Sequence, residues 1–186
     1  MIDLSLSGSF LVAMPDLKDS MFSNTVVFMC EHNENGALGI IINLIYPFMT
    51  TSEIFDELKI KSEINLENVP LHIGGPVQSN QVFVLHGPDF NWEVCLQVNE
   101  TLALSNSIDI IDAIAKKEGP EKSMFALGCS GWGPGQLETE IQENSWLTLP
   151  ASNDIIFDVP IEDRWKEAIK KLGFDPAILS SQSGNA

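Results

Sequence analysis

The sequence predicts an α+β fold with a mostly antiparallel sheet, on three observations. Two β-branched runs, 25–30 and 38–43, flank Asn33-Glu34-Asn35-Gly36, whose final Asn-Gly step favours a tight reversal. Apolar runs at 69–73, 82–86 and 92–98 follow, with Gly74-Gly75-Pro76 and Gly87-Pro88-Asp89 as turn chemistry, and short connections pair successive strands antiparallel. Helical periodicity lies between and after these runs, most clearly where Ile161, Trp165, Ala168, Ile169 and Leu172 share one face.

In chain order, Ile2, Leu4 and Leu6 alternate with polar residues and lead into a strand at 9–14, which Pro15 and Asp16 end. Beyond the hairpin, Thr50 and Glu53 have capping-box spacing, and Ile54, Phe55 and Leu58 give the helix that follows one apolar stripe. Ser107 is placed to cap a helix that turns Ile108, Ile111, Ile114 and Ala115 to one side and stops before Gly119-Pro120. A strand at 123–127 then opens into Gly128-Cys129-Ser130-Gly131-Trp132-Gly133-Pro134-Gly135. Glycine reaches backbone conformations closed to other residues, so this segment reads as a shaped loop between strand and helix. Pro134 suits the first turn of the next helix, with Leu137 and Ile141 inward and Glu138, Glu140 and Glu143 in solvent. Strands at 145–149 and 155–159 complete the set. Gly173 stops the last amphipathic helix, whose wet face offers Glu162 to Lys166 and Glu167 to Lys171 as i,i+4 pairs. Asp175-Pro176 starts a final turn, and a single domain over 1–179 leaves a frayed polar tail at 180–186.

Composition narrows the classes of function. A net charge of −16 repels polyphosphate and anionic lipid alike, so neither direct nucleic-acid contact nor a membrane surface is expected. The acids are scattered rather than gathered in a tail, which points to solubility before any dedicated basic partner. No apolar run reaches the roughly 18 residues of a membrane span, and the first residues lack a basic, then apolar, leader. Cys30, Cys95 and Cys129 form no CxxC pair and read as free, mostly buried thiols. Cytoplasm is the expected compartment.

Catalytic constellations are incomplete. Gly128-Cys129-Ser130 resembles the start of a nucleophile elbow, yet Trp132 stands where G-x-S-x-G needs its last glycine. Cys129 would require a base from His32, His72 or His86, and thiolate chemistry also needs an electropositive setting. An unrecognised hydrolase-like enzyme using Cys129 or His32 is therefore the alternative, not the leading reading. The histidines show no metal-binding spacing, and the glycines lack a phosphate-binding lysine. No cofactor, metal or catalytic set is called for.

Several segments together resemble the YqgE/AlgH family of bacterial proteins: Gly8-Ser9-Phe10-Leu11-Val12-Ala13-Met14-Pro15, Cys30-Glu31-His32-Asn33 with Gly36-Ala37-Leu38-Gly39, His72-Ile73-Gly74-Gly75-Pro76-Val77, and Gly131-Trp132-Gly133-Pro134-Gly135-Gln136-Leu137-Glu138. Pro150-Ala151 and Arg164-Trp165 extend the likeness over nearly the whole chain. The resemblance implies a bifurcated, mostly antiparallel sheet curled into a pseudo-barrel with helices packed outside. No reaction is established for the family, and one branch is described as transcriptional regulators. Positions matching its pattern, His32, Asn43, Gly74, Gly75, Gly131, Trp132, Gly135, Gln136 and Glu138 together with Pro76, are the candidate ligand-binding residues. The chain departs from that pattern at Cys129, where tyrosine is common, at Leu44-Ile45, which replace Arg-Pro, and at Asn185, which replaces a histidine. The expected protein is a cytoplasmic binding or regulatory module that acts on a small ligand or protein partner without touching DNA.

Overall fold

The computed structural model describes residues 5–15 and 21–177; Ile2, Leu4, Asp16 and the tail at 180–186 lie outside them. Its elements run β1 (Ser9–Ala13), β2 (Val26–Asn33), β3 (Gly36–Ile41), β4 (Ile45–Thr50), α1 (Thr51–Glu57), β5 (Pro70–Ile73), β6 (Val77–His86), β7 (Cys95–Gln97), β8 (Ala103–Ser105), α2 (Ile108–Ala115), β9 (Ser123–Trp132), α3 (Gln136–Gln142), β10 (Trp146–Pro150), α4 (Asn153–Phe157), a 3₁₀ turn (Ile161–Asp163) and α5 (Arg164–Lys171). The fold is α+β, and among the described residues the strand pairs are antiparallel except one, β5 with β9. Two compact units divide it: 1–43 with 130–186, and 44–129.

The discontinuous unit is organised on β1, which pairs with β10 on one side and β2 on the other. The hairpin of β2 and β3 closes at Asn33↔Gly36 as its Asn-Gly step predicts, with a bulge between Met29 and Glu31. On the far edge of β3, Ala37, Leu38 and Gly39 pair with Trp132, Gly131 and Ser130 at the end of β9. Phe10 and Phe28 pack edge to face at 6.2 Å, and Ile40 lies opposite Phe28 on β3, all three fully buried. Helix α5 is tied to this core by two long side chains: the Trp165 indole donates to the Ala13 carbonyl at 3.1 Å, and buried Arg164 donates to the carbonyls of Val159 and Ile42. Burial pushes the Arg164 guanidinium down to about 10.

The continuous unit packs α1 and α2 against its strands, with Ile54, Phe55, Leu71, Val84, Ile110, Ile111 and Phe125 in one cluster. Glu53 accepts the Thr50 N–H at 2.8 Å, so the predicted capping box forms. Ser107 occupies the N-cap of α2, but its hydroxyl turns to Asp109, whose carboxylate takes the Ile110 N–H at 2.9 Å. Two apolar positions face solvent against expectation: Ile108, whose place is taken by buried Ile110, and Leu58 at the end of α1.

Several boundaries move for local reasons. Residues 155–159 form no strand: Ile155 and Ile156 are buried side by side in α4, and a short apolar run has no periodicity to separate the two states. The predicted strand at 92–98 shrinks to β7, because Trp92 folds back to donate its indole N–H to Asp89 at 2.8 Å. Conversely β6 begins at Val77; a register shift between Val77 and Val82 hides its polar first half from any alternation test. Strands β4 and β8 have no clear sequence signal, the first containing Pro47 and the second being only three residues long. Helix α3 starts at Gln136, which leaves Pro134 before it. On α5, Glu167 pairs with Lys170 at 2.6 Å and Lys171 reaches Asp154 at 3.1 Å, replacing the expected i,i+4 pair.

The glycine-rich segment departs furthest from the loop expected of it. Its first five residues, Gly128–Trp132, are strand and not loop. Gly128 sits in the left-handed region at φ 73, and a Cβ there would meet the carbonyl oxygens of Gly75 and Val77. Gly74 is equally confined, since its Cβ would fall on the Gly128 carbonyl. Glycines thus let two backbones of this unit close up and let β9 continue.

Candidate functional site

Strand register assembles the site. His32 on β2 lies opposite Ala37 on β3, and Ala37 opposite Trp132 on β9, so three neighbouring strands place these residues in one row. Four residues beyond Trp132, α3 begins behind left-handed Gly135 at φ 74, which redirects the chain back across that row. Glu138, in the first turn of α3, then reaches the His32 ring, Nε2 to Oε1 at 2.8 Å.

The tautomer follows from the other nitrogen. His32 Nδ1 accepts the Leu6 N–H at 3.1 Å, so Nε2 carries the proton and donates it to Glu138. Its own backbone N–H and the His32 hydrogen bond hold the Glu138 carboxyl below the usual carboxylate range. With both ring nitrogens engaged, His32 has no lone pair free for use as a general base in this arrangement.

A second lock centres on Glu140. Glu140 was expected in solvent; it is half-buried and gathers three donors, the Trp132 indole at 2.9 Å, the Trp146 indole at 2.8 Å and the Gln136 amide at 2.9 Å. Gln136 in turn accepts the Gly133 N–H at 3.0 Å, and so closes the turn before α3. The Trp132 and Trp146 rings meet edge to face at 6.1 Å, with Phe22 against the second at 5.6 Å. The available signal was the helical spacing of Gln136 and Glu140, four apart and therefore neighbours on one face.

The candidates are thus unevenly placed. His32, Gly131, Trp132, Gly135, Gln136 and Glu138 belong to this one cluster. Asn43 lies in the same unit but at the opposite end of β2: its amide accepts the Val26 N–H at 2.7 Å and donates to the Asn24 carbonyl at 2.9 Å. Six residues of strand, roughly 20 Å, separate Val26 from His32. Gly74, Gly75 and Pro76 belong to the 44–129 unit, where both glycines lie against Gly128. Beside Trp132 and the hairpin tip, Glu31, Asn33, Asn35, Gly36, Ala37 and Leu38 border an open cleft of about 310 Å³.

Neither sequence nucleophile is presented for chemistry. Ser130 and Cys129 are buried, and burial pushes the Cys129 thiol up, away from the thiolate. Cys30 is buried as well and Cys95 half-buried, and none of the three is in a disulfide. Among the described residues no three His, Cys, Asp or Glu side chains gather as a metal site would need, and no helix is long and apolar enough to cross a membrane.

Fold and site together define an α+β protein built around a tryptophan-bearing strand-to-helix junction that a histidine–glutamate pair ties to a β-hairpin. The chain belongs to the AlgH-like family, whose model matches residues 10–177. It is 47% identical over 181 residues to a UPF0301 protein of Desulforapulum autotrophicum, with 97% of this chain and 96% of that one covered. A UPF0301 protein of Laribacter hongkongensis is 44% identical, with 98% of both covered. The solution structure of the AlgH protein from Pseudomonas aeruginosa superposes with a TM-score of 0.82 at 39% identity, over 100% of this chain and 98% of that one. A crystal structure from Corynebacterium diphtheriae shares the fold, with a TM-score of 0.75 at 21% identity over 97% and 92%.

Proposed function

We propose that this protein is a non-enzymatic binding module of regulatory type, working in the cytoplasm on a small ligand or protein partner and without direct DNA contact. The observation that carries this reading is the double lock on the junction: His32 with Glu138, and Glu140 with Trp132, Trp146 and Gln136. A recognition surface held by second contacts keeps its shape before a ligand arrives, which lowers the ordering cost of binding. Both locks use their polar groups internally, which suits a rigid platform better than proton transfer. The cleft beside Trp132 has the volume of a small-molecule site and offers one carboxylate, Glu31, with the amides of Asn33 and Asn35. A neutral or cationic ligand rich in hydrogen-bonding groups fits that lining.

Amide correlation spectra of the labelled protein, recorded with a metabolite library, test the assignment. Resonances of 31–38 and 131–138 are expected to move together on binding. Ligand-induced shifts confined to other residues, with these unmoved, would discard the site; turnover of a hydrolase panel lost on Cys129→Ala would discard the non-enzymatic reading.

A further inference from the structure

The hairpin of β2 and β3 carries the chain's single Asn-Gly step, Asn35-Gly36, at its tip. Asn35 is exposed, and its side-chain amide has no hydrogen-bond partner among the described residues, whereas the Asn33 amide donates to Glu31 at 2.9 Å. Gly36 is held to glycine by its surroundings. Its φ of 130 lies where other residues are strained, and a Cβ there would fall 2.2 Å from the Trp132 carbonyl oxygen. The packing of β3 against β9 therefore keeps an unhindered backbone nitrogen immediately after a free asparagine amide, and asparagine is a thermally labile side chain. That nitrogen belongs to the last pair of the ladder, Asn33↔Gly36, and the ends of elements open most readily.

We propose that Asn35 is a modification site, converted by spontaneous deamidation to aspartate and isoaspartate. The Gly36 nitrogen attacks Asn35 Cγ and gives up its proton; the Cγ–Nδ2 bond breaks, ammonia leaves and a cyclic imide closes. Water then adds to either imide carbonyl. Cleavage of the bond from nitrogen to Cγ gives aspartate, and cleavage of the bond from nitrogen to the main-chain carbonyl carbon gives isoaspartate, whose backbone is one atom longer. Either product puts a new carboxylate at the cleft beside Trp132, which Asn35 and Gly36 line and in which Glu31 is the one carboxylate before conversion. Conversion needs no ligand, but its consequence rests on the reading of that cleft as a recognition site: a second carboxylate turns it from neutral toward cationic ligands. Isoaspartate also shifts Gly36 from its close approach to the Trp132 carbonyl.

Peptide mass mapping of the native full chain, warmed at mildly alkaline pH and probed with an isoaspartyl methyltransferase, tests this. Asn35 is expected to gain the mass of an amide-to-acid exchange at least about tenfold faster than Asn106 and Asn144, whose following serines carry a Cβ. Asn35→Gln should lose the signal at that position and keep its fold, since the side chain is exposed and a longer one closes a less favourable ring. On anion exchange the aged wild type should elute later, together with Asn35→Asp. A native chain that keeps its Asn35 amide while the urea-unfolded chain loses it would overturn the proposal, as would an Asn35 that lags Asn106 or Asn144. Neither readout involves a ligand, so a cleft that binds nothing discards the recognition reading and leaves the modification standing.

Discussion

His86 is fully buried on β6, with its Nδ1–H donated to the Gly87 carbonyl at 2.8 Å and its Nε2 accepting the Ser105 hydroxyl at 2.9 Å. Burial lowers its pKa below the ordinary value, against the smaller raising effects of the Gly87 carbonyl and Asp89. An unfolded imidazole takes a proton near about pH 6.5, while the folded one resists it until lower pH. Stability from this group is therefore present above the unfolded value and lost as pH falls toward the folded one. Urea midpoints of the wild type should decline between about pH 7.5 and 5.5 more than those of His86→Gln, which starts less stable but has no such proton to take up. Parallel curves would remove His86 as the source. Nothing in the sequence around His86 told it apart from His32 or His72; burial and partners did, and both depend on residues distant in the chain.

At the scale of elements, glycine has two different duties in the segment from Gly128 to Gly135. Gly74 and Gly128 sit where backbones touch, while Gly133 has open space, its nearest potential contact being the Gln136 amide oxygen at 3.9 Å. Gly74→Ala should lower stability by roughly 1–3 kcal/mol through overpacking, and Gly133→Ala should leave the denaturation midpoint almost unchanged. Equal effects would contradict the close approach. The hairpin, the capping box on α1 and the amphipathic α5 were legible in sequence because each rests on contacts within a few residues. The continuation of β9 to Trp132 was not legible, since a strand rich in glycine has no side-chain alternation to read and is defined by β3 and β6 beside it. The same holds for α4, whose Ile155 and Ile156 fit either state until packing chooses.

For the whole molecule, charge makes the clearest prediction. With ten basic against 26 acidic residues, binding to duplex DNA should be absent in gel-retardation assays at physiological salt; retardation that weakens steeply as salt rises would contradict it. That expectation needs no coordinates, because the long-range field depends on the sum of charges. Composition, family pattern and the local signals of turns, caps and apolar stripes were likewise determined by the sequence alone, and they sufficed for the α+β class and for grouping Trp132, Gly135, Gln136 and Glu138 in one stretch. Only the tertiary structure decided that His32, 106 residues before Glu138, closes on it, that Glu140 joins two indoles, and that Asn43 stands apart at the other end of β2. The physical reason is that such contacts depend on strand register and helix direction, which arise when distant segments pack and leave no period or spacing in the chain to read.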